Sequence, residues 1–201
     1  MATRLRISLV LACATALLAG FASSADARPT DSGTARFCDP NSSRVFRPWN
    51  DYAYYMLSPG GSFEAASPGW ALADDANVVS GNEPFYLRSQ QDRQSLSLPA
   101  GSSATSPWMC FSVGNWHLRF VGRGGGLVRV TVRVRGLLGV VSVLDGGTLL
   151  MNSSWSPSPR VSLLLTNIGG LLKTNAISLR FTTVIGTAQI DDVYVDPWVS
   201  T

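Results

Sequence analysis

The chain has 201 residues and a formal net charge of +3, with 45% apolar and 14% charged side chains. That apolar fraction supports a core and excludes a mainly disordered chain, while few charges and abundant Gly (19) and Pro (11) argue against a bundle of long solvated helices. Without the leader described next, which carries Arg4, Arg6 and Asp26, the charge falls to about +2, too small to point to nucleic acid.

Residues 1–27 read as a positive start, an apolar stretch from Ile7 to Ala22, and small residues at Ala25 and Ala27. This is the pattern of a cleavable signal peptide. The stretch is short for a membrane span of about 20 residues, and nothing after residue 28 offers another. The expectation is a secreted protein, extracellular or in the cell envelope, with no membrane contact after cleavage. Reading Val10-Leu11-Ala12-Cys13 as a lipoprotein box instead would leave most of the apolar stretch after the cysteine. Cleavage leaves Cys38 and Cys110, which an oxidising compartment is expected to pair. Closing a loop of roughly 70 residues stabilises by about 4 kcal/mol in the chain-entropy view. A catalytic cysteine, the alternative, would need His117, the one histidine, as its base.

Residues 28–51 are polar, contain Pro29, Pro40 and Pro48, and show no period, so they read as an extended N-terminal arm tied by Cys38. The folded domain then occupies 52–201, where apolar residues recur at spacing two in short runs bounded by Gly, Pro, Asn or Asp. In chain order the runs cover 61–64, 70–72, 77–79, 95–98, 109–113, 117–120, 127–135, 140–144, 160–165, 177–181 and 188–195. The clearest is 127–135. Its Val128, Val130, Val132 and Val134 share one face, and Arg129, Thr131, Arg133 and Arg135 the other, so one face is buried and one is wet. By the same rule His117, Arg119, Arg160 and Arg180 fall on wet faces. Only 167–173 departs toward a short helical turn. The strands and their Gly-rich turns predict an all-β fold, an antiparallel two-sheet β-sandwich.

A catalytic engine is hard to find. There is no histidine pair, Cys/His cluster, nucleophile-elbow serine or phosphate-cradling glycine run, so the protein is expected not to be an enzyme. In the final run, alternation groups Asp191 with Val193 and Val195, and Asp192 with Ile190 and Tyr194, which turns one carboxylate inward. A buried carboxylate must be paired, hydrogen-bonded or bound to a cation, and Glu64 is the natural partner. Satisfaction by backbone N–H groups or arginine is the alternative.

Gly61-Ser62-Phe63-Glu64, Trp70 six residues on, Ser95-Leu96-Ser97-Leu98-Pro99-Ala100-Gly101 and the closing Ile190-Asp191-Asp192-Val193 resemble strands of jelly-roll carbohydrate-binding modules of the galactose-binding-like superfamily. The resemblance spans about residues 58 to 197. It implies a jelly roll, and a structural calcium held by Glu64 and Asp191 between the first and last strands. The chain departs from the pattern at Gly60, where the family tends to have Asn, and at Ala66, where a glycine is common. It is also similar to uncharacterised secreted bacterial proteins that end in the same D-V-Y-V-D-P motif.

Two surfaces are candidates for a ligand. Aromatic platforms suit the apolar faces of sugar rings, and among the aromatic residues Trp155, Trp116 and Tyr86 sit where loops would expose them. On the wet side of 127–135 stand Arg129, Arg133 and Arg135, with about 6.8 Å between alternate positions, and Arg119 extends the face. Such forks suit carboxylate or sulfate groups, so an acidic glycan is one ligand class; a solvated face is the plain alternative. The leading reading is a secreted, non-catalytic protein that binds carbohydrate or a cell-surface polymer. The alternatives are a surface or adhesion protein that binds another protein, and a lyase-like enzyme using His117 and the arginines on a uronate polymer.

Overall fold

The computed structural model describes residues 41–64, 69–110, 117–136, 139–163 and 176–196. The β-branched, alternating runs form strands: β1 (Met56–Leu57), β2 (Ala71–Ala73), β3 (Asn77–Ser80), β4 (Gln94–Leu98), β5 (Ser103–Thr105), β6 (Met109–Cys110) and β7 (His117–Arg123). They continue with β8 (Leu127–Arg135), β9 (Val141–Leu150), β10 (Ser156–Pro157), β11 (Val161–Ser162), β12 (Ala176–Ile185) and β13 (Ala188–Val195). A 3-10 turn, Arg47–Trp49, precedes them. Among the described residues no helix is long and apolar enough to cross a membrane.

All named strand pairings are antiparallel and make two sheets. The first has the order β10-β7-β13-β4-β3, with β1 also on β13 and β11 also on β7; the second has the order β2-β5-β12-β8-β9, with β6 also on β12. The chain crosses repeatedly from one sheet to the other, and its first and last strands are neighbours. The fold is therefore a jelly-roll β-sandwich, as the sequence leads one to expect.

Between the sheets lies one apolar core. Val128, Val130, Val132 and Val134 of β8 and Ile177, Leu179 and Phe181 of β12 meet Leu118, Phe120, Leu96, Leu98, Ile190 and Val193 from the first sheet. Phe120 and Phe181 cross edge to face with ring centroids 5.1 Å apart, and Trp70 joins Phe63 at 5.2 Å. The Trp70 indole N–H donates to the Pro59 carbonyl at 2.8 Å, which satisfies its one polar atom.

Three differences from the sequence reading have local causes. The run 61–64 is a turn rather than a strand, because Gly60 and Phe63 both take left-handed backbone angles (φ 64° and 56°). It still abuts β13: Ser58 N–H donates to Val193 O, and Val193 N–H to Gly61 O. A side chain at Gly61 would meet Ser58 Oγ at 2.3 Å and Val193 O at 2.8 Å. Second, β7 is buried on both faces, since Arg119 and Val121 are buried as well as Leu118 and Phe120. Third, β13 carries a bulge between Asp191 and Tyr194, with Asp192 at φ 49°. The bulge resets the alternation, so Ile190, Val193 and Val195 face the core while Tyr194 joins Val121 on the outer side. Asp191 is thus not on the Val193/Val195 face. The helical turn expected at 167–173 lies outside the described residues.

Candidate functional site

The outer face of the first sheet is covered by residues 41–55. Phe46, Tyr55, Val121 and Tyr194 form a second buried cluster, joined by Val45, Trp49, Ala53, Leu57, Leu87 and Trp155. Residues 41–55, most of which the sequence reads as an arm outside the domain, thus lie on β7 and β13. The anchor is electrostatic. Asp51, 3% exposed, accepts hydrogen bonds from Arg119 Nη1 (2.8 Å), Arg160 Nε (3.0 Å), Arg160 Nη2, Tyr55 Oη (2.8 Å) and the Ala53 amide (3.2 Å). Burial raises the carboxyl pKa, but the hydrogen bonds from Arg160, Arg119, Tyr55 and Ala53 outweigh it and hold Asp51 below the usual carboxylate range. Arg119 also donates from Nε to Ser158 O at 2.9 Å and lies 4.5 Å over the Phe46 ring. Rather than standing on a wet face, Arg119 is 8% exposed, because the covering segment supplies its acid.

Strand-like alternation in that segment sends Ala53 and Tyr55 down into the second cluster and leaves Tyr52 and Tyr54 outward, 58% and 50% exposed. Phe85 and Tyr86, 40% and 46% exposed, stand on the loop after β3. The Trp49 and Phe85 rings, 4.9 Å apart at 80°, join the two segments. Among the described residues these four are the only exposed aromatic side chains. The Arg44 guanidinium, 4.6 Å from the Tyr54 ring, adds a cation to the same surface.

Buried acids hold the 83–88 loop in place. Asp191 Oδ2 accepts from the Glu83 amide (3.2 Å), and the Glu83 carboxylate accepts from the amides of Phe85 (2.5 Å) and Leu87 (2.7 Å). Asp191 Oδ1 accepts from the Asp192 amide at 2.8 Å. Burial first, and then the neighbouring Asp192 charge, push Asp191 up to about 9. Burial, with Glu83 and Asp92 adding repulsion, pushes Asp192 up to about 8. Asp192 is 1% exposed, and the Arg88 charge and backbone amide beside it offset only part of that cost.

The calcium expectation meets this geometry directly. Glu64 Oε1 accepts from the Arg93 and Gln94 amides, both at 2.7 Å, and fixes the start of β4, while both Asp191 oxygens are bonded to amides. Among the described residues no three His, Cys, Asp or Glu side chains come together as a metal site. Glu64 and Asp191 are thus each bonded to backbone amides.

The arginine face lies on the second sheet, opposite the aromatic surface. Arg129 pairs with Asp145 at 3.0 Å, and Arg180 donates to Ser103 Oγ at 2.9 Å. Arg133 and Arg135 both lie over Trp108, at 4.9 and 4.0 Å from its centroid. The Gly147 amide, and then Arg129, lower the pKa of Asp145. These arginines serve as mutual and aromatic cover as much as a bare cationic face.

No protein-family model matches the chain, and no curated protein matches it in sequence. Similar solved structures include carbohydrate-binding modules and a viral domain. A family 61 carbohydrate-binding module solved with β-1,4-galactotriose is 17% identical, with 72% of this chain and 98% of that one covered and a TM-score of 0.40. A family 22 xylan-binding domain from Paenibacillus barcinonensis is 12% identical, with 83% and 100% covered and a TM-score of 0.42. The enzymatically active domain of a bacteriophage CBA120 tailspike is 16% identical, covers 70% of this chain and has a TM-score of 0.47; the match spans about a fifth (21%) of that chain.

Of the other residues singled out in the sequence, Tyr86 stands on the aromatic surface. Trp155 is partly buried in the second cluster, with the Arg123 guanidinium 4.9 Å from its ring centroid. Trp116 and Cys38 lie outside the described residues; Cys110 ends β6 and is buried. His117, at the start of β7, has Nδ1 3.3 Å from Asp196 Oδ2. Sequence reasoning missed Tyr52, Tyr54 and Phe85. The signal was there in the alternation Tyr52-Ala53-Tyr54-Tyr55, which is too short to stand out beside the proline-rich stretch before it.

Proposed function

We propose that this protein is a secreted, non-catalytic module that binds carbohydrate through the aromatic surface of Tyr52, Tyr54, Phe85 and Tyr86. The observation that carries the reading is the concentration of all exposed aromatic side chains of the described residues on two segments that touch through Trp49 and Phe85. Flat rings held open to water match the apolar faces of pyranoses, and desolvating them on binding is favourable by roughly 25 cal/mol per Å2. The sequence resemblance to carbohydrate-binding modules points the same way. A Cys38–Cys110 bridge belongs to the same proposal as a covalent anchor for the covering segment; non-reducing peptide mapping that found a free thiol at Cys110 would remove it.

The test is retention on a panel of soluble and insoluble polysaccharides, with the products assayed in parallel. We expect retention without new reducing ends or unsaturated sugars. Release of such products would replace binding with hydrolysis or the lyase reading.

One observation favours a second reading, protein binding. Among the described residues β9 is a ten-residue edge strand that pairs only with β8, and Val143 and Leu150 on it are 64% and 73% exposed. Association that rises with protein concentration and disappears in Val143→Lys, with no glycan retained, would favour that reading.

A further inference from the structure

Beside the aromatic surface, a cavity of about 290 Å3 opens between the covering segment and the 83–88 loop. Ser42 and Ser43 line it from the segment, Leu57 from β1, Leu87 and Arg88 from the loop, and Tyr194 from β13. The position of every wall is fixed. The mutual backbone bonds of Ser43 and Tyr55, both 2.9 Å, hold the segment; the Glu83 carboxylate holds the loop; and the bulge in β13 aims Tyr194 outward.

The lining has the chemistry of a sugar site. Leu57 and Leu87 offer apolar walls. The hydroxyls of Ser42, Ser43 and Tyr194 make no hydrogen bond to the described residues, so each is available as both donor and acceptor. Arg88, the one cation among the described lining residues, is already paired with Asp92 at 3.1 Å, which lowers its draw on an acidic sugar. The volume is at the lower end of the roughly 300–1,000 Å3 common for small-molecule pockets, which suits a single ring rather than a chain.

We infer that this cavity takes one neutral pyranose, so that the protein recognises the end of a glycan while the neighbouring aromatic surface carries the residues that follow. This rests on the carbohydrate reading above and narrows it from polymer face to chain end. Neutral sugars with equatorial and axial hydroxyls fit the mixture of apolar wall and unpaired hydroxyl; uronates and sulfated sugars do not.

The experiment titrates the full chain with free D-galactose, D-glucose, D-xylose, D-mannose and D-glucuronate, read by ligand-observed NMR. The same protein is assayed for polysaccharide retention. We expect millimolar binding of at least one neutral monosaccharide and none of glucuronate. Leu87→Trp, which fills the cavity, should weaken it at least tenfold. Tyr194→Phe, a change of one hydroxyl, should weaken it about fivefold, the worth of one hydrogen bond. Polysaccharide retention without any monosaccharide binding would overturn the chain-end inference and leave the carbohydrate reading intact. So would monosaccharide binding that both variants leave unchanged. Absence of binding to every sugar and every polymer would overturn both.

Discussion

Arg119 on β7 and Asp51 in the segment laid across it meet at 2.8 Å, with their side chains only 10% and 4% exposed. An ion pair this deep is coupled to the fold around it, because either partner left alone would be a buried, uncompensated charge. The pair therefore makes residues 41–55 a part of the sandwich instead of a tail, and it sets where Tyr52 and Tyr54 stand.

Replacing that acid gives the first prediction. Asp51→Asn leaves Arg119 buried without its counter-charge, and should lower the unfolding free energy by about 3–5 kcal/mol. Tyr55→Phe, which removes one hydrogen bond to the same carboxylate, should cost about 1 kcal/mol. Urea denaturation of the two variants checks the order; an Asp51→Asn loss under about 1 kcal/mol would mean that the segment is held by its aromatic packing alone.

Acidity acts on two groups with opposite sign. Asp51 has its folded pKa below the usual range, so its contribution is present above pH 4 and is lost as the pH falls through the range below that. Asp191 and Asp192 have folded values raised to about 9 and about 8, so in the folded protein they keep protons that the unfolded chain releases near pH 4. Their contribution is greatest at the acid end and is lost as pH rises from about 4 to about 9. Denaturation midpoints measured from pH 3 to 10 should therefore peak between about pH 4 and 6. Midpoints that rise steadily up to pH 9 would show the two acids ionised in the folded state, with a counter-charge beside them.

Chelation separates the two explanations of those acids. With Glu64 and Asp191 bonded to backbone amides, we expect the melting transition to be the same in excess chelator and in millimolar calcium. A cation bound at 100 times its dissociation constant would add about 2.7 kcal/mol, several degrees in a domain of this size. A fall of that size on chelation would restore the calcium site.

What could be read from the sequence follows the length of the periodic signal. β8 is found residue for residue, because four valines alternate with polar residues and a core strand has no other solution. β1, β5 and β10 were invisible, since each has only two or three residues and lies in no longer alternating run. The wet face assigned to Arg119 failed for a different reason. Alternation reports which residues share a face, but it takes a distant segment, 68 positions away, to cover that face. The bulge at Asp191–Asp192 likewise depends on backbone angles that a two-residue rhythm does not encode. Tyr86 was recognised as exposed because its loop lies between two clear runs; Tyr52 and Tyr54 sat beyond the boundary drawn for the arm or at its edge.

Affinity electrophoresis of surface variants in the retained polysaccharide tests the carbohydrate site most directly. We expect the triple variant Tyr52→Ala, Tyr54→Ala, Phe85→Ala to lose retention at least tenfold while its melting temperature stays within a few degrees of the parent. Arg129→Ala with Arg133→Ala, on the opposite sheet, should change it less than twofold. Retention that survives loss of the three rings and falls with the two arginines would contradict the aromatic site and move binding to the other face of the sandwich.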